Sequence, residues 1–268
     1  MSGSDERLPQ RYGTIVVVGG GCYGTYYVRQ LERAAAAGAL TADRIQVVDR
    51  DEACAVGRIL ATREPESIPV QMVLAEWREY FATYLSEAAD AKEPSDDAIV
   101  PSPLMPHLMG EWLVTRARQR WPERRVAVLP VEHPPAVPWE RAGSDGTHYV
   151  SFATWTCPVN CIEPRTCPHT RGPRSWSLPV RLAEHRELEG KASRPIDIAV
   201  LHCRHRAYGV GMFDTAEVIA ADEAIRSAGS RGRAEVLIGT VSHCHGALTR
   251  LIIEGAARAS GPSDSPVG

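Results

Sequence analysis

The hydrophobic positions of this chain fall into short apolar runs separated by longer amphipathic stretches. Thr14–Val18 (TIVVV) is a β-branched run ending in glycines, the pattern of a strand buried on both faces. Thr25–Ala37 is Ala-rich and free of Pro and Gly, which predicts a helix that Gly38 terminates. Ile45–Val48 is a second strand, closed by Asp49, Arg50 and Asp51. A short helix over Ala53–Ala61 and a strand over Val70–Ala75 follow. Glu76–Ala89 carries Trp77, Tyr80, Phe81, Tyr84 and Leu85 at helical spacing, an aromatic stripe suited to a core. Ala98–Val100 predicts a strand, PSPLMPH a loop, Leu108–Arg120 a helix and Val126–Val131 another strand.

The periodicity then fails. From about Glu132 to Pro195 the chain is rich in proline and shows little regular pattern. Such a stretch is usually functional or held by something other than secondary structure. Alternation resumes with a strand at Ile196–Leu201, a helix near Thr215–Ser227, a strand at Glu235–Thr240 and a last helix from about Ala247 to Arg258. No internal repeat is present. Strands alternating with helices at this spacing specify an α/β fold, a doubly wound and mostly parallel sheet, here with a Pro/Cys-rich irregular insertion.

Within the first strand–helix unit, Gly19-Gly20-Gly21-Cys22-Tyr23-Gly24 fits G-x-G-x-x-G. Its place directly after a strand and at the head of a helix gives each glycine a task. Gly19 makes the tight turn, Gly21 lets a pyrophosphate approach the backbone, and Gly24 permits close helix–strand packing. The helix start offers free N–H groups to the phosphates. Asp49 ends the second strand where a carboxylate can accept ribose hydroxyls, which favours NAD over NADP, with Arg50 beside it softening that preference. Over TIVVVGGGCYG and IQVVDRD the chain resembles the NAD(P)-binding Rossmann superfamily, including its TrkA-N type of nucleotide-binding domain. The resemblance covers residues 14–50 and implies a Rossmann-like fold and a dinucleotide site made by Gly19, Gly20, Gly21, Cys22, Tyr23, Gly24, Asp49 and Arg50; it implies no particular reaction. The expected organisation is a flexible N-terminus (1–12), a dinucleotide-binding half (13–131), a metal-binding insertion (132–195), a C-terminal α/β portion completing the sheet (196–259) and a disordered tail (260–268).

Composition narrows the function classes. The 268 residues are 44% hydrophobic and 24% charged, which is globular, and the net charge of −3 gives no bias toward nucleic acid or anionic membrane. Twenty-eight of the 30 basic residues are Arg; Lys92 and Lys191 lie near no motif, so Lys-based mechanisms have no candidate. No apolar run reaches the roughly 18–20 residues a membrane helix needs. The polar N-terminus is not that of a signal peptide. The expectation is a cytoplasmic protein with reduced thiols.

That expectation makes the cysteines the feature to explain, because five of seven lie at or after Cys157, as do six of nine histidines. The densest cluster is CPVNCIEPRTCPHT, with Cys157, Cys161, Cys167 and His169 spaced C-x3-C-x5-C-x-H. Three thiols interleaved with prolines within eleven residues describe a loop wrapped around a metal. Thiolates suit an iron–sulfur cluster, toward which the missing fourth local thiol leans, and equally a zinc ion completed by His169. His202-Cys203-Arg204-His205 and Ser242-His243-Cys244-His245 each follow a predicted strand, as does His107. If those strands join one sheet, all of these groups lie at the edge of the glycine turn. Cys203 and Cys244 are then further metal ligands, and His107, His243 and His245 are candidate acid–base groups. Cys54 carries no signal.

Two functions are carried forward. One is a dinucleotide-binding redox protein, as an enzyme an NAD(P)-dependent oxidoreductase, acting on a small-molecule substrate or a redox partner protein. The other is a non-catalytic NAD(H)-sensing regulatory subunit with a structural zinc or redox-sensing Cys site, as the TrkA-N resemblance implies. A metal-handling or group-transfer protein is a weaker third. Homo-oligomerisation is left open.

Overall fold

The computed structural model describes residues 10–62, 68–157 and 161–255, and in it the apolar runs form two mixed β-sheets. The first is built on β1 (Gln10–Val18), which pairs in parallel with β2 (Leu40–Asp49) on one side and β4 (Ala98–Val100) on the other. β3 (Val70–Leu74) extends the parallel set beyond β2. Two further strands, β10 (Val210–Asp214) and β9 (Arg204–Ala207), add an antiparallel hairpin beyond β4. The order is β3-β2-β1-β4-β10-β9.

The second sheet runs β6 (Trp139–Ala142), β7 (His148–Ser151), β12 (His245–Ile253), β11 (Ala234–Val241), β8 (Asp197–His202), with β5 (Val126–Leu129) also paired to β12. Only the β8–β11 pairing is parallel.

Alternation along β1 explains the layering. Val16 and Val18 point into one core, while Ile15 and Val17 point into another. The second of these cores is covered by α1 (Cys22–Ala36) and α2 (Ala55–Leu60), through Val28, Leu31 and Val56. The first is shared with the other sheet. It gathers Phe81 of α3 (Trp77–Asp90), Leu113 of α4 (Leu108–Arg120) and Ile225 of α6 (Thr215–Ser230), together with Leu201, Ile238 and Leu251 of the second sheet. These three helices therefore lie between the sheets. A last helix, α5 (Leu178–Lys191), closes the outer face of the second sheet through Leu178 and Leu182. Asp222, almost fully buried on α6, accepts two bonds from Arg120 of α4 (3.1 and 2.7 Å) and ties the middle layer together.

Four expectations are corrected here. The C-terminal portion does not complete the first sheet: β8 and β11 belong to the second one, which carries its own apolar faces. The predicted helix from Ala247 is strand β12 as far as Ile253, paired with β11 through a tight turn at 242–244. Because β12 is covered on both sides its buried residues do not alternate, so its apolar run reads equally as a helix or a strand. The stretch 132–195 is not irregular throughout: β6, β7 and α5 lie in it, the strands too short and the helix too weakly patterned to announce themselves. Residues 10–12 are strand rather than flexible lead, while residues 1–9 and the tail from 256 lie outside the described residues.

Candidate functional site

The glycine turn is built as the spacing requires. Gly19, at φ +90°, bends the chain after β1, and its N–H donates to the carbonyl of Val48 at the end of β2 (2.9 Å). A side chain on Gly24 would collide with the Gly19 carbonyl, so helix and strand can approach this closely only at glycine. Gly21, the N-cap of α1, is exposed and faces open space. Neither a capping side chain nor an acidic residue occupies the first turn of α1, which leaves its N–H groups free for an anion. Trp77 lies against Gly19 and donates from its indole to Val48 O (2.9 Å).

Asp49 occupies the expected strand end but is employed locally. One carboxylate oxygen accepts from Gly20 N (2.7 Å) and the other from Asp51 N (3.0 Å). Each oxygen retains a second lone pair for a ribose hydroxyl. Arg50 and Glu76 face each other at 3.6 Å as an exposed pair of little energetic weight. Cys22 and Tyr23 open α1, Cys22 exposed. Cys54 is no longer unexplained: its sulfur caps α2, accepting from Gly57 N (3.4 Å), while Val56 N donates to Gly20 O (2.9 Å). The second helix is thereby seated on the turn.

A second constellation is centred on Glu163, which no sequence pattern singled out. Its backbone is held at φ +49°, outside the usual range for a side-chain-bearing residue. Its carboxylate accepts from Ser242 Oγ (2.6 Å), His243 N (2.9 Å) and Cys244 N (3.0 Å). Burial opposes its ionisation, yet these donors outweigh burial and hold the carboxyl below the usual carboxylate range. Glu163 thus clamps the β11–β12 turn to the cysteine loop. Around it, His202 and His243 meet edge to face with ring centres 4.8 Å apart, and His202 Nε2 is buried without a partner among the described residues. Burial, followed by the Arg204 and His243 charges, lowers His202 to about 4, so it is neutral near pH 7. Burial pushes the Cys203 and Cys244 thiols up to about 12, Cys244 also receiving the Trp176 indole N–H (3.2 Å). His243 and His245 bond through Nδ1 to Ser177 and Ser151, each at 3.0 Å.

In the cysteine loop, burial and the nearby Cys161 and Cys167 raise the Cys157 thiol. Cys167 moves the other way: donation from the Thr170 N–H and hydroxyl and the His169 N–H lowers it. Arg171, at φ +58°, and the bond from its N–H to Cys167 O (2.8 Å) close this tight turn. His169 stacks on Trp155 at 4.6 Å. Among the described residues no three His, Cys, Asp or Glu side chains are arranged to hold a metal ion; residues 158–160 of this loop lie outside them. The donor chemistry suits a thiophilic metal, and the N–H donors around Cys167 favour its thiolate form.

His107 is placed elsewhere. It is buried in the middle layer with Nδ1 against Thr240 Oγ1 and Nε2 against Thr249 Oγ1, both at 2.9 Å, and burial lowers it to about 4. Both nitrogens are satisfied and the ring joins neither constellation.

The two sheets are linked by a route the sequence did not suggest. After β8, the chain leaves the second sheet at Cys203 and enters the first as β9. The β9–β10 turn rests on α1: Gln30 Nε2 donates to Tyr208 O (3.0 Å), and Arg33 lies over the Tyr208 ring. Ile162 packs on the same turn at Gly209.

A family model described as "Uncharacterized protein, C-terminal domain" matches residues 109–254, just over half of the chain. The chain belongs to this family, AF_1314_C. The matched segment of the AF_1314_C family begins in α4 and ends after β12, so it holds the Glu163 constellation and the cysteine loop but not the glycine turn. No curated protein and no solved structure gives a significant match to the chain.

Proposed function

We propose that this protein binds a dinucleotide, NAD in preference to NADP, on the Gly19–Gly24 turn and works as a redox protein in concert with its Cys/His site. The observation that carries the reading is the contact of the β9–β10 turn, which follows the Cys/His crossing, with α1, the helix that starts at the glycines. The parallel order β3-β2-β1-β4, with helices on both faces, supports a Rossmann-like nucleotide half. The open Gly21 and the free N–H groups of α1 suit a pyrophosphate. Bound there, the dinucleotide supplies hydride chemistry. This chain's part is to orient it through Asp49 and Tyr23, with His202 and His243 as the imidazoles of the Cys/His site. Cys157, Cys161 and Cys167, completed by His169, Cys203 or Cys244, would hold a zinc ion or an iron–sulfur cluster.

NADH titration by fluorescence tests the nucleotide site. Gly21→Ala adds a methyl that meets no protein atom, so fold is retained while NADH affinity falls about tenfold or more as the phosphate approach closes. No saturable NADH binding by wild type sinks the reading. Metal analysis with an anaerobic absorption spectrum tests the thiol site; metal-free, colourless protein removes it.

A second reading is a non-catalytic NAD(H)-sensing subunit. It is favoured by the local engagement of the candidate acid–base groups: His107 with two threonines, His243 and His245 with serines.

A further inference from the structure

At the opposite end of the second sheet from Glu163, roughly 20 Å away along β11, a cavity of about 320 Å³ opens between α5, the start of β11 and the chain entering β8. Its arginines are not equivalent. Arg194 is neutralised by a two-bond pair with Glu189 (2.8 and 3.0 Å), and Arg250 by Glu235 (2.6 Å) and Glu132 (3.0 Å). Arg233 has no carboxylate partner among the described residues, although it lines the same space. The cavity is also lined by His185 on α5, only 7% exposed, whose ring nitrogens bond to no described residue. They are also not sealed in protein, unlike the orphaned His202 nitrogen, so they open onto the cavity. Burial lowers His185, leaving a neutral ring with one donor and one acceptor.

A buried polar ring with unused hydrogen-bonding capacity and an unpaired guanidinium facing one cavity have a common complement. We propose that this cavity binds a small anionic metabolite, a carboxylate or phosphate ester, with the oxyanion on Arg233 and a hydroxyl or anion oxygen on His185. The volume lies at the small end of ligand pockets, which excludes a dinucleotide. The proposal is independent of the glycine turn, and the failure of either leaves the other standing.

The test is a pair of NMR titrations of the full chain, one with inorganic phosphate and one with acetate, following the His185 ring signals, assigned by their loss in His185→Gln. A saturable shift with at least one probe is expected, weakened about tenfold or more in Arg233→Ala. The better-binding probe identifies the headgroup class. Shifts that never saturate with either probe, or equal affinity in Arg233→Ala, overturn the proposal. Arg233 is exposed, so its variant folds; if His185→Gln does not, saturable binding and its weakening in Arg233→Ala are read from whichever ring or amide signals shift.

Discussion

The glycine turn and the Glu163 constellation place functional groups in opposite ways. At the turn, the backbone does the work and side chains must be absent: Gly24 is required by the Gly19 carbonyl, and Gly21 is left facing solvent. Around Glu163, side chains do the work. One carboxylate gathers three donors from a turn 80 residues away in sequence and holds two neutral imidazoles beside it. A backbone site declares itself as a local motif. A side-chain site depends on long-range topology, and only its ingredients show in the sequence.

The sharpest way to break this contrast is acid. His107, satisfied by neutral hydroxyls on the second sheet, has its pKa lowered from 6.5 to about 4. A depressed folded-state pKa contributes stability that is present above the unfolded value and is lost as pH falls through the folded one. The loss therefore runs from about pH 6.5 to about pH 4 and amounts to about 3 kcal/mol, with His202 adding to it in the same window. Urea melts at pH 7 and pH 4.5 measure it. Equal stability at the two would show that the buried imidazoles are not held neutral.

Next in size, Gly24→Ala is expected to cost about 2–3 kcal/mol because strand and helix must separate, whereas Gly21→Ala changes stability by less than about 0.5 kcal/mol. Denaturant midpoints of the two variants compare them directly, and equal losses would contradict the backbone account. A smaller loss than that of Gly24→Ala is expected for Glu163→Gln. It keeps the shape but turns an amide N–H₂ toward donors, costing about 1–2 kcal/mol and loosening the 242–244 turn, which hydrogen exchange at the His243 and Cys244 amides reports. Unchanged protection there would mean that the clamp is not what holds the turn.

Legibility in the sequence follows the same division. β1 to α4 were readable because β-branched runs, glycines and an aromatic stripe each have a local cause. The turn between β11 and β12 was not, since a doubly covered strand lacks alternation. Nor was Glu163, one of many acidic residues, whose role is created only when 161–177 folds against 242–244. His202, Cys203, His243 and Cys244 do lie at the ends of β8 and β11, as their sequence positions predicted, but on a different sheet from the glycines.

The crossing of the chain from one sheet to the other at Cys203 has a consequence for how the polypeptide can be divided. The AF_1314_C segment, residues 109–254, contains the β9–β10 hairpin, yet the strand it docks on, β4, lies upstream of it, and α6 packs its buried side against α3 as well as α4. Expressed alone, it would carry an unpartnered β10 edge and an uncovered helix face, both invitations to association. The region over which the family is recognisable is therefore smaller than the unit that folds.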